Sequence, residues 1–93
     1  MDTVPERRPT ETFDLVSRVV ALRRRGAPRV TVLAAQDQAW TSLHHEPHRD
    51  ARRTLAWVLR ASAGDDHDDA HLDAALRVAA RDLRRPPPPA STG

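Results

Sequence analysis

HHEPH, residues 44–48, holds three of the chain's five histidines, and His67 and His71 follow in GDDHDDAHLD. Imidazole is the commonest metal ligand and the side chain that changes charge nearest neutrality. On a helix, His67 and His71 would stand at i and i+4 on one face, a spacing used by two ligands of one divalent ion. His44, Glu46 and His48 would supply the rest from the preceding loop, and that imidazole and carboxylate set suits zinc or nickel. The metal reading therefore names His44, His48, His67 and His71. HHEPH lacks the second glutamate–histidine spacing of the helical zinc proteases. The plainer reading, preferred here, splits the pieces: the acidic run caps a helix and HHEPH is a polar turn between helices. It calls for no cofactor.

Arginines form the second group. Arg23, Arg24 and Arg25 run together with Arg29 just after, and Arg49, Arg52 and Arg53 form another cluster. Such clusters can grip phosphate groups. Composition weakens that inference. The net charge is only +2, all 15 basic residues are arginine, and Lys, Asn, Ile and Tyr are absent. That pattern is the one a GC-rich bacterial genome imposes whatever the function. The isoelectric point near 10.9 partly reflects arginine's very high pKa and the lack of Tyr and Cys. Catalysis has little to work with. There is no cysteine, Ser17, Ser42, Ser62 and Ser91 lie in no nucleophile motif, and no glycine loop would cradle phosphate.

The elements that would position these groups read as helices. Residues 11–25 put Phe13, Leu15, Val16, Val19, Val20 and Leu22 over half a helical wheel, and Gly26 and Pro28 end the run. A second segment, 31–45, gathers Val32, Leu33, Ala39, Trp40 and Leu43 on one face, which makes Trp40 a core residue. A third opens near Pro47 and closes before Gly64, with a stripe of Ala51, Leu55, Val58, Leu59 and Ser62. Trp57 stands about 150° off that stripe and is an interface candidate. In the fourth, Leu72, Leu76, Ala79 and Leu83 make a narrow stripe. Asp65, Asp66, Asp68 and Asp69 lie at its start and Arg81, Arg84 and Arg85 at its end, both favourable to the helix dipole.

RVTVLAA, residues 29–35, is ambiguous, because Arg29 and Thr31 alternate with Val30 and Val32 as in a short strand. A lone strand would have to pair across a dimer. The order strand, helix, helix over 29–62 would then resemble the ribbon-helix-helix repressors. That resemblance implies a dimeric DNA-binding regulator reading the major groove through Arg29, Thr31 and Leu33. Leu33 stands where a polar base-reader is wanted, and the turn between the helices lacks a glycine.

The chain is thus expected to be an all-α bundle of three to four helices over residues 10–85, with a disordered arm at 1–9 and a Pro-rich tail at 86–93. No apolar run approaches the roughly 20 residues of a membrane span, and the first residues lack a signal-peptide core. A cytoplasmic, homo-oligomeric protein follows. The function expected is non-enzymatic protein–protein contact, as an adaptor, regulator or assembly subunit, through Trp57, Arg23, Arg24, Arg25 and Arg53. The partner is another protein, itself or both, and no membrane. The DNA-binding regulator is the alternative, and the histidine metal binder comes third.

Overall fold

A computed structural model describes residues 11–64 and 68–84. They form four α-helices, α1 (Glu11–Arg24), α2 (Arg29–His44), α3 (Arg49–Ala63) and α4 (Asp69–Arg84). No strand occurs among the described residues. The arm expected at 1–9 and the tail at 86–93 lie outside them.

Each boundary has a local cause. Gly26 takes a positive φ of 69°. Its N–H donates to the Arg23 carbonyl and that of Ala27 to Leu22, the paired bonds of a left-handed helix stop. Pro28 then opens α2, its carbonyl accepting from Thr31 and Val32. α3 starts at Arg49, two residues after Pro47, and His48 caps it: its Nδ1 accepts from the Ala51 N–H at 3.4 Å. Asp68 caps α4, its Oδ1 accepting from Ala70 N–H at 3.2 Å.

The chain folds as two helical hairpins. α1 lies mainly against α2, and α3 mainly against α4. The hairpins meet chiefly through α1 on α3 and α2 on α3. Val16 and Val19 from α1, Ala39 from α2, Leu55, Val58 and Leu59 from α3 and Ala79 from α4 are wholly enclosed. Inside that core the Thr12 and Ser42 hydroxyls share a 2.7 Å hydrogen bond, joining the start of α1 to the end of α2. At the opposite end of α1, Arg24 reaches Asp73 Oδ1 at 3.1 Å and Asp69 Oδ1 at 3.5 Å. The body is flat, 44 × 35 × 17 Å, about two helix layers thick.

One ambiguity is settled and two expectations are corrected. RVTVLAA is the first half of α2, not a strand. Val32, Ala35, Ala39 and Leu43 give it an inward helical stripe, and a helix satisfies its own backbone where a lone strand could not. The strand on which the ribbon-helix-helix resemblance depends is therefore absent. Trp40 and Leu33 are not core residues; they are 36% and 51% exposed. The small Ala35 and Ala39 are buried instead, and the bulky Leu33 and Trp40 are left on the flank. Among the described residues no helix is long and apolar enough to cross a membrane.

Candidate functional site

The HHEPH segment connects α2 to α3 and organises that connection. The Glu46 N–H donates to the Leu43 carbonyl at 3.1 Å. Glu46 is only 7% exposed, and its carboxylate accepts the His48 N–H at 3.1 Å. The Glu46 carbonyl accepts from Arg52 at 3.5 Å. The His44 and His45 rings meet edge to face with centroids 6.4 Å apart. His44 ends α2, His48 caps α3, and His71 lies in the first turn of α4. α3, about 22 Å long at 1.5 Å per residue, thus stands between His48 and His71. His67 lies outside the described residues. Among those residues no group of three His, Asp, Glu or Cys side chains could hold a metal ion.

A cleft of about 640 Å³ opens between the start of α1 and the end of α2, lined by Glu11, Leu15, Asp37, Gln38, Thr41, Ser42 and His45. It gathers acids, a histidine and the hydroxyls of Thr41 and Ser42. That of Ser42 is bonded to Thr12 inside the core.

The predicted partner-binding residues divide between two places. Arg23, Arg24 and Arg25 sit at the end of α1. Arg24 is engaged with Asp69 and Asp73 and ties α1 to α4, whereas Arg23 lines a groove with Ala27, Arg29, Val32 and Leu33. Arg53 and Trp57 lie on α3, on the side away from its buried Ala51, Leu55, Val58, Leu59 and Ser62. At i, i+4, i+8 and i+11 the residues Arg49, Arg53, Trp57 and Arg60 make one outward stripe. All are exposed, with Trp57 at 42%. Against the four arginines of α3 stands one acid, Asp50.

α2 adds a neighbouring apolar flank that the sequence reading assigned to the core. Leu33 and Trp40 point to the same side of α2, two turns apart, and Val30 beside them is 75% exposed. α2 is accordingly apolar on two sides rather than one, and only its inner side is covered. Its flank meets α3 in a groove of about 310 Å³ lined by Trp40, Leu43, His44, Arg52 and Ala56. The signal in the sequence was the excess of apolar residues in 29–44 over what one buried stripe needs.

Comparison of the chain with protein-family models, with curated proteins and with solved structures gave no match.

Proposed function

We propose that the protein works by binding another protein, as a small adaptor, regulator or assembly subunit, and that it has no catalytic activity. The contact surface is the joined outer face of α2 and α3. The observation that carries this reading is the exposure of Leu33, Trp40 and Trp57 next to the α3 arginines. Monomer surfaces rarely gather large apolar groups this way unless they serve a contact. Tryptophan and arginine are also the residue types that dominate binding energy at interfaces. Absence of cysteine and arginine-only basic usage support a place in a bacterial cytoplasm, and self-association belongs to the same reading.

DNA binding is the second reading, supported by the arginine stripe of α3. A photoreactive amino acid at position 57 separates the two. The full chain carrying Trp57→p-benzoylphenylalanine is irradiated in the producing cell, with Arg77→p-benzoylphenylalanine on exposed α4 surface as control. Crosslinking of position 57, and not 77, to a defined protein or to a second copy is expected. Crosslinking to nucleic acid alone, or to nothing, would overturn the proposal.

A further inference from the structure

We propose that the flank of α2 from Leu33 to Trp40 receives an acidic amphipathic helix of the partner protein. This rests on the contact reading above and names the chemistry of its occupant. The flank carries two apolar anchors, Leu33 and Trp40, with Gln36 and Asp37 between them and a basic recess at each end. One recess, about 380 Å³, is lined by Arg23, Ala27, Arg29, Val32 and Leu33. The other, about 310 Å³, is lined by Trp40, Leu43, His44, Arg52 and Ala56. Leu33 and Trp40 are separated by two helical turns, about 10 Å, which matches the i, i+7 spacing of anchors on an incoming helix.

Charge selects the occupant. Arg23 and Arg29 bound one end. Arg52 bounds the other, and Arg49, Arg53 and Arg60 lie beyond it on α3. The acids on these outer faces are Asp37 on α2 and Asp50 on α3. A partner carrying carboxylates at both ends of an apolar stripe therefore complements the flank. A second copy related by a two-fold axis does not, because both ends of the flank are basic and the axis sets arginines against arginines. Duplex DNA fits poorly as well, since its phosphates run continuously and would meet the Asp37 carboxylate between the two recesses.

The test uses the full chain and two fluorescein-labelled synthetic helices of about five turns. They share one leucine stripe and differ in carrying glutamate or lysine elsewhere. Fluorescence anisotropy is expected to show the glutamate peptide binding at least about tenfold tighter than the lysine peptide. Leu33→Asp and Arg52→Glu should each weaken it about tenfold, with Arg29→Glu as a further variant should either misfold. Arg77→Glu, remote from the flank, should leave binding unchanged. Equal binding of both peptides, no binding of the glutamate peptide, or an equal loss in Arg77→Glu would overturn the inference. If the glutamate peptide fails while position 57 still crosslinks to a protein in the cell, the inference falls and the contact reading stands. If both fail, both fall.

Discussion

Single residues explain why the histidine-rich segment looks like a site and serves as a joint. Once α2 ends, the chain must reverse toward α3 within four residues, and the first N–H groups of α3 need acceptors. His48 supplies one to Ala51, and Glu46 in turn accepts the N–H of His48. The sequence announced that HHEPH was polar and lay between helices. It did not announce that Glu46 would be buried, because that depends on which helices close over the loop. Thr12 and Ser42 were equally hidden: each looks like an ordinary helix-surface residue until α1 and α2 lie side by side. Their shared bond is inside the core, so Thr12→Val, which keeps the shape and deletes the hydroxyl, should lower stability by about 1 kcal/mol. Urea denaturation would measure it, and an unchanged midpoint would mean the bond contributes nothing net.

At the scale of elements, α3 was the most legible. All five positions of its predicted stripe are buried, because its polar face is unambiguous and only one orientation hides the leucines. α2 was the least legible. Its apolar residues run round the helix, so periodicity could not say which side faces inward, nor exclude a strand over its first residues. Packing against α1 and α3 chose Ala35 and Ala39 for the inside. The join between α1 and α4 was also unreadable. The i,i+4 geometry offers Asp73 to Arg77, yet Asp73 takes Arg24 from a helix 49 positions away in sequence. Arg24 and its partners are well exposed, so Arg24→Ala should cost no more than about 1 kcal/mol. That cost should shrink as salt screens the pair. Thermal unfolding at low and high ionic strength checks it: a loss that salt leaves untouched would point to lost packing of the arginine stem instead.

For the whole molecule, stability and binding are expected to come apart. Leu59 is fully enclosed, and Leu59→Ala should cost about 2–5 kcal/mol, a large share of what a domain this small possesses. Trp57→Ala, on the open face of the same helix, should change stability by less than about 0.5 kcal/mol while abolishing partner capture. Calorimetry on both variants decides the matter. A Trp57→Ala protein as unstable as Leu59→Ala would mean that Trp57 is structural and that the α3 face is not a contact surface.

By itself, the sequence determined that the described chain is helical outside the first residues of α2, where three of the four helices stop or start, and which side of α3 and α4 is buried. These follow from local rules: glycine at a left-handed turn, acids at a helix start, apolar residues at helical spacing. The tertiary structure alone decided which face of α2 is covered, that Glu46 is buried and accepts the His48 N–H, and that Leu33 and Trp40 stand open on one flank with arginines at either end. Those outcomes depend on which helices lie beside one another, and side-chain periodicity along a single helix carries no information about its neighbours.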